Sequence, residues 1–583
     1  MPAAPAVRSR GSRVALAVAA LGLLAAAPAR GAGELIGVAA GDDWTLPAWT
    51  APAPDSGFFS EAADPPRFVH RRVVDLTWRQ LKPTETTFST TATDSVYGMP
   101  FASWDAQLAG TDPIWLRLWV SGTNWAPAWA RTACGVTTVG VGYEGDPHLP
   151  IWNACLWEKA KALLREVLIE RGLRAEPRLR LVYVPGAFTW CEFDFDIPGQ
   201  AANAGLLTFG EFDSWFQGAM ADLAAIADGE NTDPSDDYAW KLVYTGEDYP
   251  WSPWGAQDDF LARDAVAAGL GIRTGITEVF NFHLSEIPAW GSTVAASGHV
   301  VTDESAGIFF RGRVRGTENE CYDACGYSVP SNRLYYAIKM SNLKALQMRV
   351  SHLYVVPADS YLDAFPGLWS WVRHSLGHSA YTSADAWVAL REAEDTYWYD
   401  DDSRTWQGKP WVKNLERWLL QRDLAGHVSR RGTEALTGVV AAENGTAYEG
   451  RRTHLANGQA ALALFVDDRF LPRGRSFAVD LKVTFLDAGA GSFRVEYPVA
   501  GGTVLSDAVG FTGSGIWRTA TLRLDAALWN GALAGGADLR LVATGSDLEA
   551  RFVRLLKRAP DVVLFADGFE NGSTSFWDPR LAP

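Results

Sequence analysis

Leu179-Arg-Leu-Val-Tyr-Val-Pro-Gly-Ala-Phe-Thr-Trp190-Cys191-Glu192-Phe193 is the stretch on which the reading of this chain turns. Residues 179–184 are an apolar run of strand length, and residues 157–171 before them space apolar side chains three and four apart, as an amphipathic helix does. Helix, buried strand and turn ending in an acid form the unit of a parallel α/β barrel, which carries its chemistry just beyond the C-terminal ends of its strands. Glu192 occupies that place. Trp190 and Phe193 would desolvate its carboxyl group and let it hold a proton near neutral pH. The chain therefore reads first as an enzyme acting on a sugar.

Outward from that unit, short apolar stretches recur at 73–78, 114–120, 240–245, 272–279, 308–314 and 352–356, with 35–39 as a weak first member. Helical spacing at 259–269 and 334–348 fills two of the intervals. The expectation is an α/β fold, a (β/α)8 TIM barrel over residues 32–429 that carries the catalytic site. Past residue 430 the texture changes. Phe477, Val479, Leu481, Val483 and Phe485 alternate with polar or small residues, and Phe493, Val495 and Tyr497 resume the alternation after a Gly-rich turn. Period two without helical spacing predicts a C-terminal all-β sandwich, jelly-roll-like, over 430–560, a candidate carbohydrate-binding module. Residues 561–583 form a tail that resembles a short C-terminal segment of exported bacterial proteins.

At 583 residues and 48% apolar, the chain can bury a large core and more than one domain. Arg8, Arg10 and Arg13 precede the apolar and small run 14–27, and Ala29, Gly31 and Ala32 follow it. A basic region, a short apolar region and small residues predict a signal peptide over 1–31, and hence a protein that is secreted, periplasmic or at the cell surface. No second long apolar run occurs, so no membrane span is expected. A formal charge of −16 argues against nucleic acid as a partner, because phosphates need Lys and Arg.

Five cysteines suit an exported chain. The expected disulfides join Cys134 to Cys155 and Cys321 to Cys325 across loops of the barrel mouth, and the odd count leaves Cys191 unpaired. With no C-x-x-C and no histidine at ligand spacing near the cysteines, no metal or other cofactor is expected.

Hydrolysis of a glycoside needs two carboxyl groups flanking the bond. Glu192 is the first, and Glu318, in the segment Arg315-Gly-Thr-Glu-Asn319-Glu320 that closes the seventh strand, is the second. Arg315 would keep Glu318 ionised, as a nucleophile requires. Glu320 is the alternate if a bulge shifts the count. Glu247 and Glu278 end the fifth and sixth strands and are expected to contact substrate hydroxyls, with Arg315 and Asn319 beside them. Of the 26 tryptophans, 23 lie at or before Trp418. Most belong to the core, and Trp78, Trp125, Trp129, Trp190, Trp251, Trp254 and Trp290 are the candidate platforms for a sugar ring.

The run Asp75-Leu-Thr-Trp78-Arg-Gln-Leu81-Lys-Pro83-Thr-Glu85-Thr-Thr-Phe88 resembles the W-x-x-L-x-P-x-E-G-x-F/Y segment after the second strand of the β-galactosidase-like and cellulase-like glycoside hydrolases of clan A. The likeness spans about residues 60 to 380. It implies a proton donor after strand four and a nucleophile after strand seven, the positions of Glu192 and Glu318. It also implies a retaining mechanism, with the two carboxyl groups about 5 Å apart. One departure stands out. The clan places Asn before its proton donor, and this chain has Cys191, whose thiol is a poor hydrogen-bonding substitute. Two rival readings follow: a non-catalytic surface glycan-binding protein on a barrel scaffold, and an accessory barrel of a cell-surface assembly. Two carboxyl groups about 5 Å apart in an open, Trp-lined cleft favour the enzyme; an occluded mouth, or Glu192 locked to an arginine, favours the rivals.

Overall fold

The computed structural model describes residues 33–60, 70–142, 144–186, 191–192, 196–233, 236–246, 260–276, 292–294, 300–302, 314–319, 333–355, 361–394, 413–437 and 446–560. Eight parallel strands close on themselves in chain order: β1 (Gly57–Ser60), β2 (His70–Thr77), β3 (Ile114–Trp119), β4 (Leu179–Tyr183), β5 (Leu242–Gly246), β6 (Gly271–Ile276), β7 (Val314–Asn319) and β8 (His352–Val355). Strand alternation sends every second residue inward. Trp115 of β3 reaches across the interior to Phe59 of β1, Tyr183 of β4 and His352 of β8, with ring centroids at 4.7, 5.9 and 6.3 Å. So large a ring fits because β7 carries Gly316 there. A Cβ at Gly316 would lie 3.3 Å from Trp115 and 3.4 Å from both Arg273 and Leu181.

Helices cover the outside. The single turn α1 (Trp78–Leu81) starts at a capping box, in which the Thr77 hydroxyl accepts from the Gln80 amide and the Gln80 side chain accepts from the Thr77 amide. α2 (Ala154–Arg165) is capped by Asn153, and α3 (Phe209–Ala227) by a second box of Thr208 and Glu211. α4 (Leu334–Gln347) and α5 (Pro366–Ser375) flank β8. Among the described residues no helix is long and apolar enough to cross a membrane.

The structure corrects the expected class. The chain is not an α/β protein of the (β/α)8 TIM type followed by a separate sandwich: strand residues outnumber helical ones, and every described sheet other than the barrel is antiparallel. Hairpins interrupt the strand–helix units of the described barrel. After β2 come one helical turn, a hairpin, Asp94–Val96 with Met99–Phe101, and a short helix, Trp104–Leu108. Between β6 and β7 the described residues hold an antiparallel pair, Ser292–Val294 with Val300–Thr302, and no helix. The weak first stretch, 35–39, is not a barrel strand. Glu34–Ala40 is mostly exposed and pairs antiparallel with Trp517–Leu528. The fully buried Gly57–Ser60 takes its place, since only a strand covered on both faces suits a barrel wall. The seventh strand begins at Val314, where the 308–314 stretch was expected to end.

The two largest antiparallel sheets take one strand from Glu34–Ala40 and the others from Asp385 onward, upstream of residue 430. Their strands are β9 (Asp385–Ala389), β10 (Leu415–Arg417), β11 (Leu419–Arg422), β12 (Ala461–Val466) and β13 (Ser476–Leu486). β14 (Ser492–Val499), β15 (Gly502–Leu505), β16 (Trp517–Leu528), β17 (Leu539–Thr544) and β18 (Glu549–Lys557) follow, and the short strands Arg430–Arg431, Arg451–Arg452 and Val509–Gly510 pair at their margins. One sheet runs Glu34–Ala40, β16, β13, β18, β9, β10; the other runs β11, β12, β17, β14, β15. Val479, Leu481, Val483 and Phe485 of β13 are buried together with Phe493 and Val495 of β14 between them.

The first sheet packs on α5 through Trp44, Trp371, Trp387 and Phe552, with centroids 4.8 to 6.1 Å apart, and on α4 through Lys339, 5.2 Å from the Phe552 ring centroid. Buried charges cross the same seam. Lys339 of α4 lies 3.2 Å from Asp42 and 2.8 Å from Glu449, and Arg551 of β18 contacts the same two carboxylates at 3.0 and 3.2 Å. Burial alone would raise Asp42, but Lys339, Arg551 and the Tyr335 hydroxyl outweigh it and hold the carboxyl well below its usual range.

Candidate active site at the barrel mouth

Asp75 of β2 and Arg117 of β3 stand in register, and the guanidinium donates to both carboxylate oxygens at 2.7 and 2.8 Å. The Trp119 indole N–H donates 2.7 Å to the same Oδ1, and the Gln107 side chain brackets the Asp75 backbone. Charge-assisted hydrogen bonds of this length in a buried setting favour one arrangement of the set.

Glu192 follows β4. Its Oε1 accepts from Nη1 of Arg273 at 2.5 Å; the arginine side chain is wholly buried and that of Glu192 is 31% exposed. Arg273 comes from β6 and also lies over the Tyr183 ring, 5.2 Å from its centroid. Burial pushes the Tyr183 phenol up from its ordinary value, with Arg273 and Arg117 pulling the other way. Cys191, immediately before Glu192, is free and buried and has φ +61°, a left-handed conformation unusual for a residue with a side chain. Its carbonyl accepts 2.7 Å from the Thr245 hydroxyl of β5. Burial raises the Cys191 thiol far above its usual value, and the charges of Arg117, Asp75 and Glu192 all act on it, so these groups form one electrostatic cluster. A thiol held protonated there is not a nucleophile.

Glu318 is placed by its backbone, at the penultimate position of β7 between Ile276 of β6 and Tyr354 of β8; Arg315 and Asn319 are in the same strand. Glu320, Trp190, Glu247, Trp251, Trp254, Glu278, Trp290, Cys321 and Cys325 lie outside the described residues, as do the predicted signal segment and the tail. The Cys134–Cys155 disulfide is present, with Cα atoms 5.6 Å apart.

Two expected platforms are corrected. Trp78 and Trp125 are fully buried, so neither can stack on a sugar. Trp78 meets Trp129 edge-on, and Trp125 wedges between Trp119 and His148 at 5.1 and 5.4 Å, over Gly122, where a Cβ would collide with the indole. Trp129 is half-buried and donates to the Lys82 carbonyl. Among the described residues the exposed aromatic is Tyr97, 36% accessible, which the sequence reading passed over. It shares with Gly98 the tip of the hairpin after β2, with φ +51° and +77°, the pair of positive angles that a tight two-residue hairpin turn demands. Its ring lies 6.1 Å from both Trp119 and Trp125, which support it from behind. The signal available was Val96-Tyr-Gly-Met99, a turn dipeptide between apolar residues.

No family model and no curated protein matches the chain.

Proposed function

We propose that this chain is a secreted glycoside hydrolase that cleaves O-glycosidic bonds of a poly- or oligosaccharide with retention, Glu192 donating the proton and Glu318 attacking the anomeric carbon. The observation that carries the reading is the location of the two glutamates: one follows β4 and the other is the penultimate residue of β7, both toward the C-terminal ends of strands in the closed parallel barrel. The supported ring of Tyr97 and the part-exposed Glu192 side chain suit a sugar ring entering from solvent.

A second reading, a glycan-binding protein without turnover, is favoured by one observation. Glu192 is paired with Arg273, and the residue before it is Cys191. Incubation with a panel of polysaccharides and oligosaccharides separates the two, with reducing ends and affinity electrophoresis as readouts. New reducing ends of retained anomeric configuration, absent in Glu318→Ala, together with a glycosyl azide of inverted configuration when azide is added to that variant, support the hydrolase. Retarded migration without any product supports the binder.

A further inference from the structure

Glu192 is held by groups to which the two-glutamate scheme gives no task. Arg273 is wholly buried, with its stem beside Gly316 and its guanidinium over the Tyr183 ring, a setting that restricts how far it can follow a moving carboxylate. A guanidinium buried to this degree favours one geometry with its counterion, because separation leaves the arginine desolvated without that charge. One residue earlier, Cys191 is kept in a left-handed conformation that a residue with a Cβ adopts only where its surroundings dictate it. Those surroundings are the Thr245 hydroxyl on its carbonyl and the closed packing around its thiol.

We propose that Arg273 and Thr245 are positioning residues that work as a clamp: Thr245 fixes the backbone turn at Cys191, and Arg273 holds one oxygen of the Glu192 carboxyl group, so that the other is presented to the glycosidic oxygen. The two come from adjacent strands, β6 and β5, which are paired from Gly271 to Thr274, so a single rigid wall carries both. Neither touches the sugar. The catalytic arm of this inference rests on the hydrolase reading above; the conformational arm stands without it.

Cys191 supplies a reporter for the conformational arm. Its buried thiol should react slowly with iodoacetamide in the folded chain, and peptide mapping of the alkylated protein distinguishes it from the other cysteines. In Thr245→Val, a near-isosteric change that keeps the barrel packed, we expect Cys191 to be alkylated roughly tenfold faster, as local opening becomes easier. On a hydrolysed substrate, Thr245→Val and Arg273→Ala should lower kcat about a hundredfold with KM little changed, the scale on which a misplaced catalytic group costs turnover. Arg273→Lys should restore part of kcat, which a merely structural role would not predict. Wild-type protection of Cys191 in Thr245→Val overturns the clamp whatever the activity does. Accelerated alkylation in a chain that hydrolyses nothing on the panel keeps the clamp and removes the hydrolase reading.

Discussion

Arg117 closes two nitrogens on the carboxylate of Asp75 across the β2–β3 register, and the two residues are only 4% and 8% exposed. Their neighbours in the mouth depend on this pair for their electrostatic setting, since both charges reach Cys191. Asp75→Asn keeps the shape but removes the charge facing a buried guanidinium. Urea unfolding should show a loss of about 3–5 kcal/mol, and adding Arg117→Met should recover a large part of it. Equal stabilities for the single and double variants would mean that the charge on Asp75 is not what the arginine needs.

Glu192→Gln removes the proton that the proposed mechanism gives to the leaving group. Activity on natural glycosides should fall about 10²- to 10⁴-fold. The glycosylation step on an activated aryl glycoside, whose leaving group needs little protonation, should be nearly spared. Stopped-flow release of the aryl alcohol measures that step, and an equal loss on both substrates contradicts the assignment.

Tyr97→Ala tests the aromatic tip. An aromatic contact of this kind is worth about 0.5–1.5 kcal/mol, so KM should rise roughly 2- to 10-fold with kcat nearly constant. Tyr97→Phe should behave as wild type if the ring face is what matters. A Tyr97→Ala enzyme with unchanged KM removes Tyr97 from the substrate path.

His148 is fully buried beside Ser121 and Trp125, and burial lowers its pKa to about 4 from 6.5. The unfolded chain therefore takes up a proton at this position below pH 6.5, while the folded chain resists it until about pH 4. Stability is unaffected by this group above 6.5 and declines as the pH falls through that window, by roughly 3 kcal/mol in total. Unfolding midpoints measured across that range should slope in the wild type and flatten in His148→Gln.

Patterns that are local in the chain were legible before any coordinates. Val479, Leu481, Val483 and Phe485 bury one face of β13 as their alternation says, and Cys134 and Cys155 pair where the loop between them allows. Partners that lie far apart were not legible. Arg273 sits in an apolar stretch with nothing nearby to say that its counterion is Glu192, 81 residues earlier. Gly57-Phe-Phe-Ser60 is too short to display a period, so Glu34–Ala40, longer and more regular, drew the assignment that belonged to it. Trp78 and Trp125 show why composition misleads at a site: a tryptophan that stacks on a sugar and one that fills a core are written with the same letter, and only exposure separates them.

Glu34–Ala40 precedes the barrel in the chain yet completes a sheet with Trp517–Leu528, so the polypeptide leaves that sheet, winds the whole barrel and returns to it. Contacts of such long sequence separation close late and slowly, because the loop entropy is lost before the pairing rewards it. The leading strand must therefore wait, unpaired, for a partner synthesised nearly five hundred residues afterwards, and a ribosome or protease that stops short of Trp517 leaves its edge open to other chains.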